Sequence, residues 1–347
     1  MEEAIRYLDD VDFFYNIPDG YRLMAVHDRL PLLRRPFPLH LPAELDGGVF
    51  FTTSPMSVES RGKKIKIVQT LHDLIPLSAS MHREDPGLFY KRLKALNDHS
   101  DAILAVSEYS RNQLLKFFPS AADRVKVVYQ PVPADKYLIG LSALPVVQQS
   151  VLEKFGLLAG QYCFYVGAIE ARKNIDRLVS AYTIAAKGLD VPLVLGGIVD
   201  QEYVRDRHLE QYFAKRNSGE DAGRPQRRDS VRYVGYITEL EKLCLIRNAR
   251  ALLFPSLNEG FGIPPLEAQT FGCPVLTSNV ASLPEVVADS AYLIDDPYNI
   301  EEIATGIRKL LDDDDLCDTL RRAGYRNAAR FSEHNFAEQV SALIDSV

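Results

Sequence analysis

Short apolar runs alternate with helical-period stretches from residue 163 to residue 294, and that alternation leaves few folds open. The runs are Cys163–Val166, Leu193–Leu195, Val231–Val234, Ala251–Phe254, Pro274–Thr277 and Tyr292–Ile294. Helical stretches are expected between them at about 174–187, 201–215, 239–248, 265–271 and 283–287. Strands alternating with helices predict βαβ units and a parallel sheet. After Asp295 the chain reads as helix to its end. The first half follows a looser version of the same pattern. Its strand candidates are Asp12–Tyr15, Leu23–Val26, Val49–Thr52, Ile65–Thr70, Ala102–Val106 and Val125–Tyr129, with helices expected at about 86–98 and 108–117. Between 131 and 157 the periodicity weakens and Pro131, Pro133 and Pro145 punctuate the chain, which predicts an interdomain connection. The expected organisation is an N-terminal α/β domain over 1–140, a second over 150–330 and a terminal helix over 331–347. A length of 347 residues suits two domains.

Composition excludes several classes of function. Hydrophobic residues make up 46% of the chain and charged residues 25%, as in ordinary folded proteins. The net charge of −7 argues against general nucleic-acid binding. Residues 1–150 hold 18 basic and 18 acidic side chains, so the rest of the chain carries the whole negative charge. Cys163, Cys244, Cys273 and Cys317 lie far apart in no metal-binding spacing, which predicts a reducing, cytoplasmic compartment and no zinc site. Met1 is followed by Glu2 and Glu3, no apolar run is long enough to span a bilayer, and no signal peptide is expected. Asn217–Ser230 is polar and glycine-containing, and reads as a surface loop.

The chemistry concentrates in Pro255-Ser256-Leu257-Asn258-Glu259-Gly260-Phe261-Gly262-Ile263-Pro264-Pro265-Leu266-Glu267-Ala268. A buried strand leads in, and a proline-started helix leads out. Gly260 and Gly262 let backbone amides approach a ligand, and the helix start favours an anion. A carboxylate beside such a site can accept hydrogen bonds from neighbouring hydroxyls of a sugar or ribose. The bland alternative is that Glu267 complements the helix dipole and Glu259 is a loop charge. A second strand end, Gly167-Ala168-Ile169-Glu170-Ala171-Arg172-Lys173-Asn174, puts two cations at a helix start, where cations are disfavoured unless an anion is present. His72-Asp73 follows a third apolar run.

These motifs resemble the retaining GT-B glycosyltransferases of family GT4, whose signature of two glutamates separated by seven residues is matched by Glu259 and Glu267. Further similarity lies in YVGAIEARKN (165–174), VRYVGYI (231–237), GCPVLTSN (272–279), TLHDLIPL (70–77) and AVSEYSR (105–111). The resemblance implies two Rossmann-like domains facing a cleft, and hexosyl transfer from a nucleotide sugar with retention. It implies a catalytic set of His72, Lys173 and Glu259. Glu259 would contact the donor sugar, Glu267 the ribose, and the segment Gly260, Phe261, Gly262 and Ile263 the diphosphate. Lys173 would grip the diphosphate at the end of the strand closed by Gly167. Ala168 stands where many members carry arginine, and Arg172 is the candidate substitute. Ile237 matches a position near the base, or is an ordinary core residue.

The wording looks most like mannosyltransferases using GDP-mannose, with UDP-glucose next. No metal or other cofactor is expected. The implied partners are a nucleotide sugar and a glycan or lipid-linked acceptor, as in surface polysaccharide biosynthesis. Residues 88–94, 111–118 and 30–37 mix aromatic, apolar and basic side chains. They suit peripheral contact with anionic lipid at the inner face of a membrane, or helices packed on a core with solvated lysines. One departure stands out. The chain opens with MEEAIRYLDDVDFFYN in place of the family's first buried strand and glycine-rich loop. Gly47-Gly48 does not supply that loop, and Asp10-Val11-Asp12 reads as solvated. Two rivals therefore stay open: a non-catalytic nucleotide-sugar-binding protein and a nucleotide-sugar epimerase.

Overall fold

A computed structural model describes residues 39–40, 49–52, 55, 58–59, 65–77, 85–132, 145–213 and 230–347. The strand candidates Asp12–Tyr15 and Leu23–Val26, the runs 10–12 and 30–37, Gly47-Gly48 and all but the last residue of the polar stretch 217–230 lie outside them. The chain divides into two compact units, one of Met1–Pro131 with Glu333–Val347 and one of Val132–Ser332.

The first unit contains β1 (Leu39–His40), β2 (Val49–Thr52), β3 (Val58–Glu59), β4 (Lys66–Leu71), α1 (Pro86–His99), β5 (Ala102–Ala105), α2 (Glu108–Phe117) and β6 (Val125–Val127). Four strands form a parallel sheet in the order β2-β4-β5-β6, while β1 pairs with β3. α1 starts where the Asp85 carboxylate accepts from the Leu88 amide at 2.7 Å and Pro86 takes the first turn. Phe89, Leu93 and Leu96 then recur on one face and bury against Ile103, Leu114 and Val125. The mixed run 88–94 is thus a helix packed on a core. Its Lys91 and Lys94 are exposed, and Lys94 pairs with Asp98.

The second unit holds α3 (Pro145–Phe155), β7 (Cys163–Val166), α4 (Ile175–Ala185), β8 (Leu193–Gly196), α5 (Gln201–Asp206), α6 (Glu210–Phe213), β9 (Val231–Gly235), α7 (Glu239–Asn248), β10 (Ala251–Phe254), α8 (Ile263–Thr270), β11 (Val275–Ser278), α9 (Leu283–Val287), β12 (Tyr292–Ile294), α10 (Ile300–Asp312) and α11 (Asp314–Ala328). Its sheet is parallel, in the order β12-β11-β10-β7-β8-β9. Strands β7, β8 and β9 run outward to one edge, and β10, β11 and β12 to the other. The order reverses between β7 and β10, the place where open α/β sheets leave a crevice at their carboxyl ends.

Two expectations need correction. The break at 131–157 contains α3, because Pro145 sits at its first position, where no amide donor is needed. Its Val151 and Leu152 bury in the second unit's core. The helical stretch 201–215 is two short helices, divided at His208, whose φ of 55° cannot continue a helix. The terminal helix is α12 (Glu333–Asp345), which buries Val340, Leu343 and Ile344 and is grouped with the first unit.

The loops leaving β7 and β8 touch. Gly197 has φ 141°, and a Cβ built there would lie 1.9 Å from the Gly167 carbonyl oxygen. Gly197→Ala is expected to cost on the order of 3 kcal/mol, since both the conformation and the close approach forbid a side chain. Urea denaturation measures this. An unchanged midpoint would contradict the loop packing.

Candidate functional site

The reversal point carries two loops, one after β7 and one after β10, and they are stitched together. The Leu257 amide donates to the Arg172 carbonyl at 2.8 Å. Asn174, in the left-handed conformation at φ 62°, donates through Nδ2 to the carbonyls of Pro255 (3.0 Å) and Pro297 (2.7 Å). Asn tolerates that conformation better than most residues, and its amide satisfies two buried carbonyls. Ser282 donates its hydroxyl between the carbonyls of Glu259 (2.9 Å) and Phe261 (2.7 Å), fixing the far side of the glycine turn. Gly262 caps α8 at φ 117°, and Ile263, Pro264 and Pro265 make the first turn, two residues earlier than expected.

This framework brings Arg172, Lys173 and Glu259 into one cluster. Lys173 Nζ donates to Glu259 Oε1 at 2.5 Å, and Arg172 Nη1 donates to Glu259 Oε2 at 2.9 Å. The Ser256 hydroxyl lies 2.6 Å from Glu259 Oε1, and Arg172 Nε pairs with Glu170 at 2.8 Å. Lys173 is 6% exposed and Glu259 7%. The ammonium also sits 4.8 Å over the Phe254 ring, a cation–π contact. Burial pushes the Glu259 carboxyl up, but Lys173 and Arg172 outweigh it and hold the group below the usual carboxylate range. Burial lowers the Lys173 ammonium, and Glu259 offsets part of that. The result is a buried cation pair bridged by one carboxylate, an arrangement whose cations could also be shared with an anionic ligand.

Glu267 lies further along α8, 6% exposed. Its Oε1 accepts from Lys242 Nζ at 2.6 Å, and its Oε2 is buried without a hydrogen-bond partner. Burial raises its carboxyl, with the charge of Lys242 opposing. Sequence reasoning missed Lys242. On α7 it reads as one more helix lysine, and its contact is 25 residues away in the chain. Ser282 was missed for the same reason, since its carbonyl partners Glu259 and Phe261 lie 23 and 21 residues away. Ile237 is buried in the second unit's core, and a side chain on Gly196 would meet it at 2.9 Å. His72 and Asp73 belong to the first unit. His72 is exposed, its Nδ1 lies 3.1 Å from Gln130 Nε2, and its carbonyl accepts from Ser110 at 2.8 Å. Asp73 accepts from the Ile75 amide at 2.9 Å, so it caps the next turn.

The two acids should respond to pH in opposite directions. Glu259, depressed below its ordinary 4.5, stabilises the fold above that value and loses this as pH falls through its folded pKa. Glu267, raised above 4.5, favours the protonated folded state, so its contribution is lost as pH rises through its folded pKa. As pH falls from 7 towards about 4, wild type should gain melting temperature over Glu267→Gln. Below 4.5 it should lose its advantage over Glu259→Gln. Melting curves across pH check both, and parallel slopes would contradict the assignment.

The model of the Glycosyl transferases group 1 family matches residues 154–327, and that of Glycosyltransferase Family 4 matches residues 47–136. The O-antigen chain mannosyltransferase B of Escherichia coli is 32% identical over 278 residues, 79% of this chain and 68% of that protein. The chain belongs to the group 1 glycosyltransferases. This glycosyltransferase is also 30% identical to the serotype-specific mannosyltransferase WbdA of Escherichia coli, over 78% of its own length but only 32% of WbdA. Anabaena HepE in complex with UDP and glucose superposes with a TM-score of 0.70 at 17% identity, covering 86% of this chain and 78% of HepE. WaaG, a glycosyltransferase involved in lipopolysaccharide biosynthesis, gives 0.64 at 17% identity, over 88% and 79%. The enzyme is a hexosyltransferase with the two parallel α/β units of the GT-B fold. Among the described residues, no helix is long and apolar enough to cross a membrane.

Proposed function

We propose that the enzyme transfers mannose from GDP-mannose, with retention, to a hydroxyl of a glycan or lipid-linked saccharide in surface polysaccharide synthesis on the cytoplasmic side. The observation that carries the reading is the Lys173–Glu259–Arg172 cluster at the strand-order reversal. Diphosphate binding would draw Lys173 and Arg172 onto phosphate oxygens, with the amides at the α8 start completing the anion site. Glu259, released from one cation, then accepts from hydroxyls of the sugar. A carboxylate held ionised by two cations is a hydrogen-bond acceptor, not a general acid. The leaving diphosphate can take the acceptor's proton on the same face, and no step calls for a metal. Glu267 Oε2, buried and unpartnered, is the acceptor for a ribose hydroxyl. The mannosyl and GDP assignments are supported by the relatives named as mannosyltransferases and by the wording of the two motifs.

A calorimetric panel of nucleotide sugars and free nucleotides tests the donor. GDP-mannose should bind more tightly than UDP-glucose by about tenfold or more, a difference of about 1.4 kcal/mol. Preference for UDP-glucose would overturn the mannosyl assignment and leave the site standing. On the acceptor side, exposed Tyr90 and Phe117 stand beside exposed Lys91, Lys94 and Lys116, which suits transient contact with anionic lipid.

A further inference from the structure

Glu267 is the least comfortable acid in the second unit. It is 6% exposed, has one buried oxygen with no protein partner, and sits on α8 between the glycine turn and the core. A buried carboxylate in that position would ordinarily take up a proton, and a protonated carboxyl is a poorer acceptor for a hydroxyl. One cation opposes this. Lys242 reaches from α7 and donates to Oε1 at 2.6 Å, while its other contact is Glu239 Oε1 at 2.8 Å. The geometry divides the labour between the two oxygens. Oε1 is committed to the ammonium, so the carboxylate cannot rotate freely, and Oε2 alone remains open. Glu239, on the same helix, pairs with the same ammonium.

We propose that Lys242 is a positioning residue of the donor site, holding Glu267 by Oε1 so that Oε2 is presented as the acceptor for a ribose hydroxyl. The proposal rests on the reading of Glu267 as the ribose ligand. Lys242 and Glu239, both on α7, are the charged groups that act on Glu267 among the described residues. The other elements packed on α8 engage Gln269 instead, through Ser290 and Asn327. Lys242 itself stays cationic: burial lowers it, and the two glutamates more than restore it. Without it, burial and Glu239 act on Glu267 unopposed, and the carboxyl would be pushed up further.

The test is calorimetry of the intact enzyme with GDP and with 2′,3′-dideoxy-GDP, from about pH 5.5 to 8.5, for wild type, Lys242→Met, Lys242→Arg and Glu267→Gln. Lys242→Met should bind GDP on the order of tenfold more weakly at about pH 6 and recover most of the loss by about pH 8.5. Lys242→Arg should restore the wild-type profile, because a guanidinium keeps the charge and the donor. Glu267→Gln should bind weakly with no pH dependence. A pH-independent loss in Lys242→Met, or one that arginine does not rescue, would overturn the positioning role. If wild type binds the dideoxy ligand as tightly as GDP, the ribose assignment of Glu267 fails instead.

Discussion

Lys173→Met is expected to lower kcat/KM by about 10²–10³-fold, in line with losing one preplaced charge from a site where negative charge develops. The donor's diphosphate leaves with more charge than it carries in the ground state. A buried ammonium aimed at it therefore stabilises the transition state more than the bound substrate. Lys173 is suited to this because it is already desolvated, ordered by Glu259 at 2.5 Å and by the Phe254 ring. The substitution has a second consequence. Removing one partner of a buried pair costs about 3–5 kcal/mol when the other charge is stranded, but Arg172 and Ser256 still reach Glu259. Stability should thus fall by less than that range, and free GDP should bind more weakly. Steady-state kinetics with a melting curve separate the effects. Normal kinetics in a folded variant would remove Lys173 from the site.

Glu259→Gln should do the reverse to binding. The amide keeps the shape and one acceptor, and it no longer competes with a diphosphate for Lys173 and Arg172. Affinity for free GDP is expected to hold or rise, whereas sugar transfer falls by about 10²-fold if Glu259 is, as proposed, the charged acceptor of the sugar hydroxyls. Isothermal titration with GDP alongside transfer assays distinguishes this from misfolding. Equal loss of both would mean that Glu259 serves the fold and not the sugar.

The donor-side fold was readable because parallel strands buried on both faces leave unbroken apolar runs. Cys163–Val166 and Ala251–Phe254, both fully buried, are strands with the bounds the sequence predicts. Glu259 and Lys173 were legible for a related reason: charged residues in the loops that follow such runs lie beyond the strand ends, where the sheet order decides what meets. Their meeting was not legible, because the residues are 86 positions apart and the contact depends on β7 lying beside β10. Lys242 gave no signal at all, since a lysine within ELEKLCLIRN satisfies helix patterning whether or not it reaches another element. The division at His208 was hidden by apolar spacing that continues through both short helices. Asp73 shows the opposite case, a local contact: its carboxylate accepts from the amide of Ile75, two residues on, at 2.9 Å.

The central claim is that the strand-end cluster of Arg172, Lys173 and Glu259 handles a sugar nucleotide during transfer. Proton NMR of the enzyme incubated with GDP-α-mannose and a mannose-terminated oligosaccharide tests it most directly. The account predicts release of GDP in step with a new α-linked anomeric signal, slowed together by Lys173→Met. Intact GDP-mannose in the presence of tight binding, or an isomerised sugar nucleotide with no GDP released, would contradict it.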